Sequence, residues 1–78
     1  MNVIRLSDAK KNQEYFIEEI CVKNENIKNQ LKNLGIIKNE KIKFLNYNYG
    51  KKSLLIKVMN INYAIDKSIC DDVKVRYE

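Results

Sequence analysis

The stretch LLIKVMNINYAI, residues 54–65, contains the alternation and the turn that decide the fold. Leu54, Ile56 and Val58 are spaced by two, which places all three on one face of a β-strand. Asn60-Ile61-Asn62 then turns the chain, because asparagine tolerates the backbone angles of tight turns. The stretch therefore predicts two short neighbouring strands.

Further strands are predicted on both sides of this stretch. Tyr15 to Val22 is rich in aromatic and β-branched residues, and the spacing of three between Ile17 and Ile20 indicates a bulge or kink. The other strands are expected at Ile42–Phe44, with a register shift towards Tyr47 and Tyr49, at Tyr63–Ile65 and at Val73–Tyr77. The total is about five short strands.

One helix interrupts the strand pattern. Ile27, Leu31 and Leu34 recur at intervals of four and three, so they share one face of a helix. Gly35 follows where a helix commonly ends in a left-handed residue. A short amphipathic helix is therefore expected between the first and second predicted strands.

Polar residues at three places are expected to cap helical turns. Asn24 or Asn26 precedes the helix, and Ser7 or Asp8 stands in a short turn near the N-terminus. Asp66 precedes what we expect to be a single further turn. Each side chain can accept a hydrogen bond from a following backbone amide.

Short strands joined by tight turns cannot bury one face as an open sheet. Rolling into a small barrel fills a core and removes exposed edges. We therefore expect a mainly β fold, an SH3-like barrel of about five strands with one short helix. A chain of 78 residues is sufficient for one core, so residues 1–78 are predicted to form a single domain.

The composition argues against an enzyme. The chain has no histidine, which removes the commonest metal ligand and the commonest general base. Cys21 and Cys70 are too few for a disulfide framework and are expected to be reduced, small apolar residues. We expect no catalytic residues, no cofactor and no metal site.

The apolar residues are spread along the whole chain. No apolar run approaches the 18–20 or so residues that cross a bilayer, and the first eight residues lack the features of a secretory signal. We expect the protein to stay in the cytoplasm.

The charge is concentrated in the middle of the chain. From Lys23 to Lys57 there are nine lysines against Glu25 and Glu40, a balance of +7, while the two flanking portions carry −1 each. A positive field favours an acidic protein, an anionic membrane leaflet or nucleic acid alike. Solvated surface lysines are an equally good interpretation.

The order of spaced residues resembles the FeoA family, the ferrous iron transport protein A domain. The family pattern has a leucine-containing turn, an isoleucine-x-x-isoleucine strand, a helix ending in leucine-glycine-isoleucine, an alanine-aliphatic pair and a final isoleucine-x-valine strand. The residues that stand at the positions of this pattern are Leu6, Asn12, Ile17, Ile20, Leu31, Leu34, Gly35, Ile36, Asn39, Ile42, Phe44, Ile56, Val58, Asn60, Ala64, Ile65, Cys70, Val73 and Val75.

The sequence departs from the family pattern in three ways. Asn12, Asn39 and Asn60 stand where the family usually has glycine, and asparagine is the next best residue for positive φ. Asp66 replaces a common arginine, and residues 47–50, Tyr-Asn-Tyr-Gly, lack the proline-glycine character frequent at this hairpin tip. The turns are expected to survive, and the family's partner contacts at the tip are not carried over.

The resemblance implies a non-enzymatic cytosolic accessory of FeoB, the large membrane transporter with its own GTP-binding domain. On this interpretation the chain neither transports iron nor hydrolyses nucleotide. A small basic barrel that binds nucleic acid is the alternative. A third possibility is the similar regulatory barrel of iron-dependent repressors, although no DNA-binding helix pair precedes it here.

The surface candidates combine aromatic and basic side chains. Tyrosines beside cations are common in protein interfaces and in grooves that bind single-stranded nucleic acid. Leu34 is assigned to the core; Leu31 is kept as a candidate although its helical spacing is also typical of core residues. The candidate partner-binding residues are Leu31, Tyr47, Tyr49, Lys51 and Lys52.

Overall fold

The computed structural model describes residues 2–48, 50 and 52–77, which contain six strands, two α-helices and one 3₁₀ turn. The strands are β1 (Asn2–Arg5), β2 (Glu14–Ile20), β3 (Lys41–Asn48), β4 (Ser53–Val58), β5 (Ile61–Asp66) and β6 (Val73–Tyr77). The helices are α1 (Glu25–Asn33) and α2 (Lys67–Cys70), and the 3₁₀ turn is Leu6–Asp8.

All six strands belong to one antiparallel sheet in the order β1-β6-β2-β3-β4-β5. The sheet curls around a single core, and β1 and β5 form its two edges. α1 connects β2 to β3, and α2 connects β5 to β6.

The core consists of fifteen buried apolar residues from nearly every element. The face predicted for β4 is confirmed, because Leu54, Ile56 and Val58 are each fully buried. Tyr15 is also buried and meets the ring of Tyr77 edge to face at 5.7 Å. The complete set is Leu6, Ala9, Tyr15, Ile17, Val22, Leu31, Ile36, Ile42, Phe44, Leu54, Ile56, Val58, Cys70, Val73 and Val75.

The prediction of a mainly β fold is confirmed, but the count of about five strands is one too low. β1 was missed because none of its side chains is fully buried, so its sequence shows no alternation. It is a strand because its backbone pairs with β6, from Asn2 opposite Tyr77 to Arg5 opposite Lys74. The helix α1 consequently lies between the second and third strands.

Both predicted register shifts are present. The pairing of β2 with β6 shifts between Ile17 and Glu19, and that of β3 with β4 shifts between Phe44 and Asn46. Each bulge leaves one residue, Glu18 or Leu45, without a partner in the ladder. Bulges increase the local twist of a strand and so help the sheet to curl.

The caps are confirmed only for α1. The Asn24 side chain accepts hydrogen bonds from the backbone amides of Asn26 and Ile27, at 2.9 and 3.2 Å. The 3₁₀ turn begins at Leu6, so Ser7 and Asp8 lie inside the turn and do not precede it.

The Asp66 side chain does not cap α2, although Asp66 does precede that helix. Its backbone has an extended ψ of 137°, but its side chain makes no hydrogen bond to the first turn. Instead, the first amide of the helix, that of Lys67, donates to the carbonyl of Lys52 at 2.8 Å. The carbonyl of Lys52 therefore accepts a hydrogen bond from the helix start, where the carboxylate of Asp66 was predicted to be the acceptor.

The left-handed residues predicted from the sequence are confirmed, but the turn before β5 is Met59-Asn60, because Ile61 and Asn62, which were predicted to belong to the turn, already pair with β4. Asn12, Asn39 and Asn60 have φ of 64°, 72° and 66°, and Gly35 ends α1 with φ of 91°. Met59, with φ of 51°, was not anticipated. Its long side chain gives it no local hydrogen bond to offset this conformation.

Replacing Asn12 tests the role of asparagine in these turns. We expect Asn12→Ala to lower the free energy of unfolding by about 1 kcal/mol, because alanine tolerates positive φ poorly, whereas Asn12→Gly should leave it unchanged within error. Urea denaturation followed by circular dichroism measures both. Asn29→Ala on the exposed side of α1 is the matched control, and a loss there equal to that at residue 12 would contradict the assignment.

Candidate partner-binding site

The β3–β4 hairpin carries four of the five predicted partner-binding residues. Tyr47 and Lys52 are described by the structure; Tyr49 and Lys51 lie outside the described residues. The last described pair before the tip is Asn48 opposite Ser53. Tyr47 therefore lies near the end of β3, and Lys52 lies in the turn directly before β4, on the other side of the same tip.

Tyr47 anchors the hairpin to the N-terminal 3₁₀ turn. Its phenol oxygen donates to the carbonyl of Ser7 at 3.3 Å, and its ring meets that of Phe44 edge to face at 5.1 Å. The side chain is half-buried, so it offers one part of its ring to the core and another to solvent. Tyrosine suits such a position because its body is apolar and its tip is polar.

Lys52 is fixed by its backbone and not by its side chain. Its carbonyl accepts from the amide of Lys67, the first residue of α2, at 2.8 Å. Its side chain is exposed. The exposed side chain of Lys52 therefore extends from a backbone position that is held in place by a hydrogen bond.

Leu31 is not a surface residue, so its prediction as a partner-binding residue is wrong. Its side chain is only 3% exposed and lies in the core, while Leu34 is half-buried. Leu31 is the more deeply buried of the two, whereas Leu34, which was assigned to the core, is partly buried and packs against the core. Leu34 stands at the very end of the helix, where the chain turns away.

Leu34 borders a groove between α1 and the outer edge of β5. The groove has a volume of about 200 Å³. Its walls are mostly apolar, and its polar members are Gln30 and Asp66. The apolar lining residues are Ile27, Leu31, Leu34, Ala64, Ile65 and Ile69.

A second groove, of about 300 Å³, carries much of the positive charge. Lys41, Lys43 and Lys57 line it together with Glu14 and Glu40. Lys43 lies opposite Glu14 on β2 and opposite Lys57 on β4, so its ammonium group has a carboxylate on one neighbouring strand and a second ammonium group on the other. This groove thus holds three of the nine lysines of the middle segment, and their charge is partly balanced there by Glu14 and Glu40.

The two cysteines lie in different environments. Cys21 is half-buried, whereas Cys70 is fully buried. Burial, together with the negative charges of Asp71 and Asp66, raises the pKa of the Cys70 thiol to about 12. A thiol that stays protonated at neutral pH is a poor nucleophile and a poor metal ligand.

Acidic side chains near α2 are engaged locally. The Ser7 hydroxyl and Lys67 hold the pKa of Asp71 below its ordinary value, and Lys67 contacts it at 3.3 Å. Arg5 pairs with Asp8 at 3.0 Å, which raises the pKa of Arg5. Across the part of the chain that the structure describes, no three Cys, Asp or Glu residues gather closely enough to hold a metal ion.

Arg76 forms a network that the sequence did not indicate. One guanidinium nitrogen donates to the carbonyl of Ile17 and to Glu18, both at 3.1 Å, and another donates to Asn39 at 2.9 Å. The guanidinium also lies over the ring of Phe16, 5.4 Å from its centre. Arg76 lies opposite Phe16, two residues before the bulged residue Glu18, in the pairing of β6 with β2.

The elements described above define a small, mainly β domain built around one core. None of its described helices has the length and apolar character needed to cross a bilayer. The chain belongs to the FeoA family, since residues 4–77 match the model of the FeoA domain. Members of this family are accessory proteins of ferrous iron transport, and the family is not a known class of enzyme.

Solved structures show the same fold. A crystal structure of the iron uptake regulatory protein FeoA has a TM-score of 0.83 and 22% sequence identity, with 97% of each chain covered. FeoA of Stenotrophomonas maltophilia, an SH3 domain protein crystallised with zinc, has a TM-score of 0.80 and 24% identity, with 94% of this chain and 89% of that chain covered.

A similar domain is part of a larger protein. T. acidophilum IdeR has a TM-score of 0.86 and 18% identity; it covers 100% of this chain, but only 35% of its own length is matched. No curated protein sequence matches this chain. The structural likenesses confirm that the fold is SH3-like.

The buried thiol of Cys70 predicts a dependence of stability on alkaline pH. The folded state keeps the proton up to about pH 12 and the unfolded state loses it near pH 9. The unfolded state therefore binds fewer protons in this window, and the free energy of unfolding should fall by about 1.4 kcal/mol per pH unit as pH rises.

Urea denaturation at several pH values between 9 and 11 measures this slope. The difference between the wild-type chain and Cys70→Ala isolates the contribution of the thiol from those of other groups. Cys21→Ala controls for the loss of a thiol elsewhere. Equal slopes in the wild-type chain and in Cys70→Ala would show that the Cys70 thiol does not carry the effect.

Proposed function

We propose that this chain is a non-enzymatic cytoplasmic accessory protein of ferrous iron uptake that binds and regulates an FeoB-type membrane GTPase transporter. The observation that carries the proposal is the family match over residues 4–77, almost the whole chain. The absence of histidine from the sequence supports a role in binding over one in catalysis. According to this proposal, residues 1–78 form a single FeoA-like domain.

The end of the β3–β4 hairpin is the surface proposed to contact the transporter. Tyr47 offers a half-buried ring and Lys52 an exposed ammonium group, and both are anchored through contacts to other elements. Tyrosine is enriched in protein interfaces, whose rim is polar and solvent-accessible. Tyr49 and Lys51 remain predicted members of this surface.

An acidic surface on the transporter fits this hairpin best. Long-range attraction increases the rate of association of oppositely charged surfaces and weakens with ionic strength. The +7 balance of the segment from Lys23 to Lys57 provides that field. The proposed contact is therefore expected to be sensitive to salt and to the sign of the charge at residue 52.

Isothermal titration calorimetry of the full chain against the purified cytosolic part of its FeoB tests the proposal. We expect binding in at least one of the nucleotide-free, GDP-bound or GTP-analogue-bound states. Lys52→Glu should weaken it at least tenfold, because the substitution places a negative charge against an acidic surface. Absence of binding in all three states would refute the proposed partner.

Lys28→Glu is the matched control for the charge change. Lys28 is exposed on α1 and lies one turn before Lys32, with which the new glutamate can pair. The same loss of net charge is thus made away from the hairpin without loss of helix stability. Equal weakening by both variants would locate the effect in the overall charge and not in the hairpin.

Binding of nucleic acid is the second candidate, and the groove formed by Lys41, Lys43 and Lys57 favours it. Contacts between lysines and phosphates release counterions, so such binding falls steeply with salt. Fluorescence anisotropy with a labelled single-stranded RNA and a DNA of about 20 nucleotides at about 50 mM salt tests it. No change in anisotropy at this low salt concentration would eliminate the candidate.

A further inference from the structure

β5 is a free sheet edge with an unusual composition. It pairs with β4 over six consecutive positions without a register shift, and its other side has no strand partner among the described residues. Edge strands are commonly protected by lysine, proline, a bulge or a covering element. β5 has no lysine, no proline and no bulge, and residues of α1 and α2 approach it only across the groove at residues 64–66 among the described residues.

The inward-facing side chains of β5 are incompletely covered. Ile61, Tyr63 and Ile65 lie opposite Val58, Ile56 and Leu54, and so they face the same side of the sheet as the core. The three β4 residues are fully buried, yet Ile61 is 53% exposed and the other two β5 residues are half-buried. The core therefore ends at β5 with apolar surface still open to solvent.

The charge at this edge also differs from the rest of the chain. Residues 58–66 contain no lysine or arginine, although the chain has fifteen in 78 residues. The groove beside the edge is lined by neutral side chains and Asp66. An acidic partner would gain little here, and the edge is the place where two positively charged copies can approach without opposing ammonium groups.

The sequence of β5 is nearly symmetric about its centre. Asn62 and Ala64 are the immediate neighbours of Tyr63 in the sequence, and an isoleucine, Ile61 or Ile65, follows on each side. In an antiparallel pair centred on residue 63, isoleucines would oppose isoleucines and the two tyrosines would oppose each other on the core side. Asp66 would lie opposite an asparagine, Asn60, so no like charges would meet.

We propose that β5 pairs with β5 of a second copy of this chain, antiparallel and centred on Tyr63, to form a symmetric dimer. A two-fold interface needs one surface that is complementary to itself, and this strand has that property. The paired edges would satisfy their outward backbone groups and cover Ile61, Tyr63 and Ile65. A six-residue edge is a small interface, so the dimer is a weak one in exchange with monomer.

Two cysteine variants test the pairing and its centre. Residues 63 of the two copies would have Cα atoms about 4.5–5.5 Å apart, within the range of a disulfide. In a Cys21→Ser background, with the buried Cys70 retained, Tyr63→Cys should form a disulfide-linked dimer under mild oxidation. Mass spectrometry and non-reducing electrophoresis measure the yield.

Ile61→Cys in the same background is the matched control. Residues 61 of the two copies would be four residues out of register, about 13 Å apart along the strands, and too far for a disulfide. We expect at least a tenfold lower yield of linked dimer. Equal or greater linking at residue 61 would overturn the proposed pairing.

Sedimentation equilibrium of the unmodified chain, from low micromolar to about 1 mM, measures the association itself. We expect a monomer–dimer equilibrium that Tyr63→Lys weakens at least tenfold, because two ammonium groups would meet at the axis. Val3→Lys makes the same change on the other sheet edge, where residue 3 is 47% exposed, and should have no effect. Circular dichroism verifies that both variants fold.

A wild-type chain that stays monomeric over this range would overturn the proposal. If it is monomeric and Tyr63→Lys weakens binding to the cytosolic part of FeoB in the calorimetric titration, β5 is a docking edge for the transporter instead. If the chain dimerises and FeoB binding is absent, only the function proposed above fails. The two inferences are thus separable by experiment.

Discussion

Two bulges, at Glu18 in β2 and at Leu45 in β3, bend the sheet so that strands of four to eight residues can enclose a core. An extra residue in a strand leaves backbone groups without ladder partners and increases the twist. At the first bulge, Arg76 supplies part of the missing bonding, since it donates to the carbonyl of Ile17 and to the Glu18 side chain. The same carbonyl also accepts from the amide of Asn39 at 2.7 Å. Curvature is thus held by polar contacts on the outside and by apolar packing within.

Much of this architecture could be predicted from the sequence because its signals are local. The burial of Leu54, Ile56 and Val58 follows from a period of two, and the bulge in β2 follows from the spacing of Ile17 and Ile20. The left-handed turns follow from residue type. Strand β1 was missed since its strand character depends on β6, some seventy residues away, and not on its own pattern.

The functional surface was harder to predict, for a related reason. Helical spacing shows that Leu31 and Leu34 share a face, but it cannot show which of them the end of the helix leaves uncovered. The network of Arg76 has its partners far away in the sequence. Met59 has the backbone conformation of an asparagine or glycine without being either, and its 60% exposed side chain lies within 3.5 Å of where a Cβ on Gly35 would be. The structure gives no physical reason for methionine at this position.

The two anchors of the β3–β4 hairpin have a consequence for recognition. Tyr47 bonds β3 to the N-terminal turn, and the carbonyl of Lys52, directly before β4, accepts from the first amide of α2. Each anchor restricts the chain before any partner arrives, so the conformational entropy of the hairpin base is already lost during folding. A partner that docks there has less ordering to impose, and more of its contact energy remains as affinity. The hairpin is also joined to both neighbouring turns, so a partner that shifts it would have to break contacts with elements distant in sequence.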